Sequence, residues 1–187
     1  EFRLENGSTP DVVIVGSGVG GAAFARTIAS SKASILILER GGKLSTPEGV
    51  LDPRQIHRDG KYIADETWYE GNKPFGPWIY YYVGGNTKFF GAVTPRYRES
   101  DFEEVEHAGG ISPAWPFSYA ELEPYYCQAE TLFRVHGSDG ADPCDPWRSK
   151  SYPYRRVPDE QSIGKVRERL EKIGIKTHPT PLCSDET

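Results

Sequence analysis

The chain has 187 residues, a length that suits one domain or slightly more. Apolar residues make up 37% and charged residues 26%, so the composition is that of a globular protein and excludes a disordered tail. The formal net charge of -5 offers no basic footprint for a phosphate backbone, and we expect no nucleic-acid partner.

Four residue counts narrow the class of protein further. The 20 glycines and 15 prolines predict long irregular loops. There is no Met, so residue 1 is not an initiator, and we expect a processed N-terminus or a piece of a longer chain. Cys127, Cys144 and Cys183 have neither zinc nor disulfide spacing, which indicates free thiols in a reducing, cytoplasmic compartment and no metal site. No apolar run reaches the ~18 residues of a membrane-spanning helix, so we expect no transmembrane segment.

The first elements are a strand, a glycine turn, a helix and a second strand. Residues 11–15 form a β-branched apolar run, which is typical of a strand buried on both faces of a parallel sheet. Glycines interrupt this run at 16–21, small residues predict a helix at 22–30, and Ile35–Leu38 predicts the second strand. Residues 11–40 therefore predict one right-handed βαβ unit of a Rossmann-like α/β domain.

The rest of the chain combines long loops with helices. Residues 41–77 show no sustained period and predict a long loop, while the aromatic stretch at 68–82 predicts either core packing or the wall of a ligand pocket. We expect a short helix at 100–106, a loop at 136–158 and an amphipathic helix at 159–173 that Gly174 is placed to cap. Ser118 and Glu121 form a capping box that begins a helix reaching about residue 133. The predicted apolar side of that helix consists of Leu122, Tyr125, Tyr126, Ala129, Leu132 and Phe133.

The glycine turn carries the first functional signal. Gly16, Gly18 and Gly21 match the Gly-x-Gly-x-x-Gly pattern of dinucleotide-binding loops, between a strand and a helix. Gly16 permits the tight turn, Gly18 lets a pyrophosphate approach the backbone, and Gly21 lets the helix pack close to the strand. The helix N-terminus then offers N–H groups and a positive dipole end to the phosphates. Glu39 ends the second strand, where a carboxylate accepts hydrogen bonds from a ribose diol and repels the 2′-phosphate of NADP.

The glycine turn does not by itself distinguish NAD from FAD, because either pyrophosphate fits. Gly84 and Gly85 lie in an apolar and aromatic setting, which indicates either a tight turn or a second close approach of the backbone to a flat ring system. Arg40 follows Glu39 directly and is expected either near the adenosine or in the solvent.

Several motifs follow one another in a characteristic order. They are Gly-Ser-Gly-Val-Gly-Gly at 16–21 with Glu-Arg-Gly at 39–41, Val-Gly-Gly-Asn-Thr-Lys-Phe-Phe-Gly at 83–91, Gly-Gly-Ile-Ser-Pro-Ala-Trp-Pro at 109–116, and Leu-Glu-Pro-Tyr-Tyr at 122–126. Together they resemble the N-terminal part of a glucose–methanol–choline (GMC) flavoprotein oxidoreductase, in the bacterial branch near the sugar dehydrogenases and pyranose oxidase. The resemblance implies oxidation of an alcohol or sugar CH–OH group by hydride transfer to flavin N5.

The resemblance also implies non-covalent FAD, with its adenosine ribose near Glu39 and residues 84–92 beside the pyrophosphate and the isoalloxazine. The implied binding residues are Gly16, Ser17, Gly18, Val19, Gly20, Gly21, Glu39, Arg40, Gly84, Gly85, Asn86, Thr87, Gly91 and Ala92. Asn86 and Thr87 replace serines of many members, and Phe90 replaces an Asn, so the backbone contacts carry over more firmly than those of the side chains. Phe89 lies near the position of a His that tethers the flavin in some relatives, and Phe cannot form that bond.

The catalytic base is expected outside this chain. Alcohol oxidation needs a flavin for the hydride and a base for the hydroxyl proton. The resemblance implies that the base is a His of the C-terminal part, and we assign no catalytic role to the histidines present here, which are His57, His107, His136 and His178.

We therefore expect residues 1–187 to be the N-terminal portion of an FAD-binding domain that is incomplete without further chain. It comprises the βαβ unit at 11–40, a flavin-side glycine segment at 83–93 and a helical appendage at 100–174. The expected partners are the remaining C-terminal portion, as further sequence or as a second chain, and a small alcohol or sugar.

Two alternatives stay open at this point. One is a small NAD-binding Rossmann protein with a loop-rich appendage. The other is a non-catalytic dinucleotide-binding or interaction module that kept the glycine loop without the chemistry. Flavin absorption by the purified protein would exclude the first, and turnover of an alcohol by the 187-residue chain would exclude the second.

Overall fold

The computed structural model describes residue 7, residues 9–45 and residues 52–184. Two units divide the chain, residues 1–90 and residues 91–187. Among the described residues, no helix combines the length and the apolar character needed to cross a membrane.

The first unit contains the predicted βαβ unit. Strand β1 (Val12–Val15) pairs in parallel with β2 (Ile35–Leu38), and helix α1 (Val19–Ile28) connects them. The helix begins three residues earlier than expected, because Gly18 already acts as its N-cap. The α/β fold class predicted from the sequence is confirmed.

The segment after β2 is more ordered than predicted. Residues 46–51 lie outside the described residues, but helix α2 (Pro53–His57) follows, and the Asp52 carboxylate accepts a hydrogen bond from the Arg54 N–H at 2.8 Å. An antiparallel hairpin then pairs β3 (Trp68–Glu70) with β4 (Lys73–Phe75). The prediction of one long loop is wrong here, because elements of three to five residues are too short to show a period.

The aromatic stretch divides between the interior and the surface of the first unit. Tyr80 is buried and stacks on Phe89, with ring centroids 4.0 Å apart. Trp68, Tyr69 and Trp78 are exposed. Core packing, one of the two roles predicted for this stretch, is thus confirmed for Tyr80.

Among its described residues, 91–184, the second unit contains two small sheets and two helices. A 3₁₀ turn at Glu99–Phe102 precedes a hairpin of β5 (Val105–His107) and β6 (Gly110–Ser112), so the helix expected at 100–106 is only a single turn. Helix α3 (Tyr119–Leu132) leads into β7 (Val135–Gly137). This strand pairs in parallel with β8 (Tyr154–Arg155) and antiparallel with β9 (Leu182–Cys183). Helix α4 (Gln161–Lys172) lies between β8 and β9 along the chain.

The capping predictions for the two helices are confirmed. Ser118 caps α3, and its hydroxyl accepts a hydrogen bond from the Glu121 N–H while the Glu121 carboxylate accepts one from the Ser118 N–H at 2.8 Å. Gly174 has a φ of +82° and its N–H donates to the Glu171 carbonyl, which ends α4.

The face that α3 buries is only partly the one predicted. The buried residues are Tyr119, Glu123, Cys127 and Glu130. On the predicted apolar side, Leu122, Tyr126 and Ala129 are half-buried, whereas Tyr125, Leu132 and Phe133 are exposed. Two glutamates are buried because a cation meets them there. The Arg96 side chain, only 1% exposed, lies against this face.

Arg96 uses its whole guanidinium in this buried cluster. Its Nε and Nη2 donate to the two oxygens of Glu130 at 2.7 and 2.8 Å, a bidentate pair. Its Nη1 donates to the Tyr119 hydroxyl at 2.9 Å and to the Glu123 carboxylate at 3.1 Å. Arg148 adds a second pair of hydrogen bonds to Glu130, at 3.1 and 3.2 Å. Two cations and two anions therefore balance, which reduces the cost of burying them.

The same cluster holds the loop after residue 146. The Ser149 N–H and hydroxyl both donate to Glu123, at 2.9 and 2.8 Å, and the Tyr119 hydroxyl donates to the Trp147 carbonyl at 2.5 Å. The Ser149 N–H is the main cause that lowers the pKa of Glu123 to about 2, with hydrogen bonds from Cys127, the Ser149 hydroxyl and Arg96 acting in the same direction.

Arg96→Met should strongly destabilise the protein. The change leaves two buried carboxylates without their shared cation, which costs about 3–5 kcal/mol in the free energy of unfolding. Urea unfolding measures this loss. The control is Arg98→Met, which breaks the exposed ion pair with Asp101 and should cost about 1 kcal/mol or less. Equal losses from the two variants would contradict a special role for the buried cluster.

Acid should remove the stabilisation that depends on the Glu123 carboxylate. Its pKa is about 2 in the folded chain against an ordinary 4.5, so its contribution is complete above that ordinary value and is lost as the pH falls towards 2. Glu123→Gln should therefore show a shallower decline of unfolding free energy with acid than the wild type. Glu104→Gln, an exposed control, should follow the wild type. A Glu123→Gln curve that runs parallel to the wild-type curve would refute this assignment.

Candidate cofactor site

The glycine turn joins the end of β1 to the start of α1. Gly16 has a φ of +92°, a conformation that L side chains rarely adopt, and its N–H donates to the Leu38 carbonyl at 2.7 Å. The turn therefore lies beside the end of β2, where Glu39 follows.

Gly21 and Gly18 serve different purposes. A Cβ at Gly21 would collide with the Gly16 carbonyl oxygen and lie 3.2 Å from a methyl group of Ile14, so this glycine is required for packing. Gly18 has a φ of -62°, which any residue adopts, and a Cβ built there meets no atom within 4 Å. Neither backbone conformation nor packing therefore requires glycine at position 18, and the space beside it is open.

The N-terminus of α1 faces this open space without any negative charge of its own. No acidic residue lies in the first turn, so the positive end of the helix dipole is not compensated by a side chain of the helix. The first N–H groups of a helix have no acceptor within the helix. Here the Val19 N–H donates to the Thr87 hydroxyl at 3.1 Å, which brings the second glycine segment to the helix end.

The Glu39 carboxylate is held by three donors. It accepts hydrogen bonds from the Ser17 N–H at 2.9 Å, the Ser17 hydroxyl at 2.5 Å and the Gly41 N–H at 3.0 Å. The Gly41 N–H is the main cause that lowers the pKa of Glu39 to about 2, followed by the Ser17 hydroxyl and N–H. The carboxylate is therefore an anion at neutral pH, with its position set by the backbone around it.

Ser17 also connects the two glycine segments. Its hydroxyl donates to Glu39 and accepts a hydrogen bond from the Gly84 N–H at 2.9 Å. Close to this contact, the Val83 N–H donates to the Gly42 carbonyl at 2.9 Å. Gly84 and Gly85 both have positive φ values, +93° and +53°, so the predicted tight turn is present. The structure thus brings residues 16–21, Glu39 and residues 84–87 together.

The remaining predicted residues have other surroundings. The Asn86 side chain serves its own turn, since it accepts from the Tyr80 N–H at 3.1 Å and donates to the Trp78 carbonyl at 3.0 Å. Gly91 and Ala92 belong to the second unit and both have left-handed backbone, with φ of +73° and +64°. The Ala92 carbonyl accepts a hydrogen bond from the Cys183 N–H at 2.8 Å. Ala92 carries a side chain in this conformation, so its backbone is strained.

One residue near the site was missed at the sequence level. Glu66 forms an ion pair with Arg40 and accepts a hydrogen bond from the Tyr81 hydroxyl at 2.5 Å. Glu66 lies in the stretch without a period, where no pattern marks it. The Glu-Arg pair at 39–40 was the one available signal, since an Arg beside a binding carboxylate needs a partner of its own.

The histidines have structural contacts. His107 lies 3.0 Å from the Ser112 hydroxyl, His136 lies 2.8 Å from the Arg155 carbonyl, and His178 pairs with Asp142 at 3.2 Å. His57 lies in the last turn of α2. Within residues 9–45 and 52–184, no group of His, Cys, Asp and Glu side chains is arranged to hold a metal ion.

Curated relatives match nearly the whole of this chain. The 6'''-hydroxyparomomycin C oxidase of Streptomyces lividus is 32% identical over 184 residues, which cover 92% of this chain and 31% of the relative. Paromamine 6'-oxidase of Streptomyces fradiae is 32% identical over 181 residues, covering 92% of this chain and 30% of the relative. The fructose dehydrogenase large subunit of Gluconobacter japonicus is 27% identical over 196 residues, which cover 91% of this chain and 36% of the relative. The chain thus spans about a third of the length of the curated relatives it matches.

A solved structure shares the fold. An FAD-dependent oxidoreductase from Chaetomium thermophilum, solved in complex with a small-molecule fragment, superposes with a TM-score of 0.55 at 14% identity. The match covers 95% of this chain and 34% of that one. No family model matches the chain. The relatives and the shared fold confirm the resemblance that the motifs indicated, which is to the N-terminal part of a glucose–methanol–choline (GMC) flavoprotein oxidoreductase.

Proposed function

We propose that this chain is the FAD-binding portion of an oxidoreductase that oxidises an alcohol or sugar CH–OH group. The observation that carries the proposal is the open space at Gly18. A glycine that neither the backbone nor the packing requires, placed at the uncompensated N-terminus of α1, leaves room for a phosphate group against the backbone. The residues present therefore fit a dinucleotide cofactor.

Each part of the site holds one part of FAD in this proposal. The pyrophosphate lies against the backbone of Gly18, Val19 and Gly20. The adenosine ribose donates hydrogen bonds to the Glu39 carboxylate. Thr87 supports the phosphates from the second segment, because its hydroxyl already accepts from the Val19 N–H and keeps its own proton to donate. The backbone of Gly84 and Gly85 is the part of the second segment that faces the flavin in this proposal.

The proposed reaction follows from the family resemblance and from the relatives described above, which are oxidases and a dehydrogenase. When bound, FAD supplies the acceptor for the hydride of the CH–OH carbon. This chain holds the cofactor, with Phe89 in place of a tethering His and hence without a covalent bond. The catalytic base comes from the remaining C-terminal portion, as further sequence or as a second chain.

Exposed apolar surface of the first unit supports the need for that portion. Val15 in β1 is 84% exposed, and α1 has no buried side chain. Parallel strands are normally covered on both faces, so we propose that residues 1–187 form one portion of an FAD-binding domain that further chain completes. The three free thiols, Cys127, Cys144 and Cys183, support a cytoplasmic location.

Gly18→Val should abolish tight FAD binding without unfolding the protein. The new side chain fits the backbone at φ -62° but fills the space proposed for the pyrophosphate. We expect at least about a tenfold higher dissociation constant for FAD, measured by flavin absorption and fluorescence on the whole protein. The thermal unfolding temperature of the apoprotein should change little relative to the wild type.

The control for this variant is Gly76→Val. Gly76 also has open space around it, lies in the same unit directly after β4, and is not among the predicted binding residues. Equal affinity of Gly18→Val and Gly76→Val for FAD would contradict the proposed phosphate site. A wild-type protein that binds NAD and no flavin would contradict the proposed function itself.

Glu39→Gln should weaken FAD binding through the ribose. The amide lacks the charge and turns a donor toward the N–H groups that the carboxylate accepts from, so we expect about a tenfold loss of affinity. Because the pKa of Glu39 is about 2, the loss should be the same at about pH 5 and about pH 8. Glu70→Gln in β3 is the exposed control and should bind as the wild type does. A loss that appears only at the higher pH would refute this role of Glu39.

A further inference from the structure

A cavity of about 440 Å³ lies within the second unit, and the proposed function gives it no role. Sites for small molecules measure about 300–1,000 Å³, so this volume is large enough for one. The cavity, called the aromatic cavity below, is lined by five aromatic side chains, which are Tyr97, Phe102, Trp115, Phe117 and Tyr126.

Contacts within the second unit hold the walls of the aromatic cavity in place. Phe102 is buried, and its ring centroid lies 6.2 Å from that of Phe117. The Trp115 ring lies 5.5 Å from the Phe117 ring, and the Trp115 backbone N–H donates to the Phe102 carbonyl at 3.0 Å. On α3, the Tyr126 ring lies 5.4 Å from the guanidinium of the buried Arg96. The walls are therefore formed before any ligand arrives, which reduces the entropic cost of binding.

Two of the rings that line this cavity keep large exposed surfaces. Trp115 is 58% exposed and Tyr97 is 68% exposed. A single exposed aromatic residue is ordinary, but exposed rings that line one concave surface are typical of a binding site. Trp115 belongs to the Gly-Gly-Ile-Ser-Pro-Ala-Trp-Pro motif at 109–116, which the proposed cofactor site does not use.

The charged groups at the aromatic cavity balance each other. Arg98 and Asp101 both line it, and the Arg98 Nη2 and Nε donate to the two oxygens of Asp101 at 2.9 and 3.3 Å. Within the part of the chain that the structure describes, no hydrogen bond uses the Arg98 Nη1 or the Trp115 indole N–H. The cavity thus combines aromatic walls and no net charge with two donors that are available to a ligand.

This chemistry selects the class of ligand. A sugar would place several hydroxyls against aromatic walls that offer few hydrogen-bond partners, and polar groups buried without partners are costly. A charged ligand would find no opposite net charge, because Arg98 and Asp101 already neutralise each other. A neutral aromatic ring avoids both costs, since it stacks on Trp and Tyr and a single acceptor atom can use an available donor.

We propose that the aromatic cavity binds a neutral aromatic compound that carries a hydrogen-bond acceptor, with its ring against Trp115 and Tyr97 and its acceptor on the Arg98 Nη1. The cavity shares no residue with the predicted FAD site. Binding of this compound is therefore independent of the proposed function and can fail or succeed without it.

The test titrates the whole protein with 4-fluorobenzamide, a neutral ring with a carbonyl acceptor, and follows the probe by fluorine NMR. We expect saturable binding with a dissociation constant of about 1 mM or lower. Trp115→Ala removes a largely exposed wall, and should raise this constant about tenfold without changing the unfolding temperature. Trp115→Phe keeps a ring and should lose less. Methyl glucoside should not displace the probe.

Trp147→Ala is the matched control, because Trp147 is 61% exposed in the same unit and does not line the aromatic cavity. It should bind the probe as the wild type does. Equal losses from the two alanine variants would refute the site and indicate nonspecific contact with exposed tryptophans. Displacement by methyl glucoside would refute the proposed ligand class. No binding to the wild type would also refute the proposal and indicate that another segment of the whole protein covers the cavity.

Discussion

The hydroxyl of Ser17 is the contact on which the candidate site depends. It donates to the Glu39 carboxylate at the end of β2 and accepts from the N–H of Gly84, and it belongs to the glycine turn itself. One small side chain therefore joins the end of a strand, the turn before α1 and the second glycine segment. Glu39 can be an anion at a defined position because Ser17 and Gly41 surround it with donors.

Because of this contact, the predicted binding residues fall into two groups, those that leave space for the cofactor and those that hold the backbone around it. Ser17 appears among the residues that the family resemblance implies for the cofactor, but its hydroxyl is already used within the protein. Gly18 differs, since nothing in the protein needs a glycine there. The cofactor is thus expected to meet mostly backbone and open space, while side chains such as Ser17 and Thr87 hold that backbone in place. The second unit follows a similar logic, because Arg96 holds α3 through two buried carboxylates.

Elements that depend on residues close together in the sequence were predicted well. Features that depend on contacts between distant residues were not. Strand β2 and the capping box of Ser118 were predictable because their residues lie within a few positions of each other. The buried face of α3 was not, since Glu123 and Glu130 are buried only against Arg96, 27 and 34 residues away. The site shows the same division. The glycine turn and Glu39 follow from spacing, whereas the link from Ser17 to Gly84 spans 67 residues and leaves no mark in the local pattern.

We propose that this chain holds FAD at the glycine turn by non-covalent contacts. Native mass spectrometry of the whole purified protein, followed by the same measurement after denaturation, distinguishes bound, tethered and absent FAD. We expect a native mass that exceeds that of the polypeptide by one FAD, and complete loss of that increment on denaturation. A native mass equal to that of the polypeptide alone after addition of excess FAD, or an increment that survives denaturation, would contradict it.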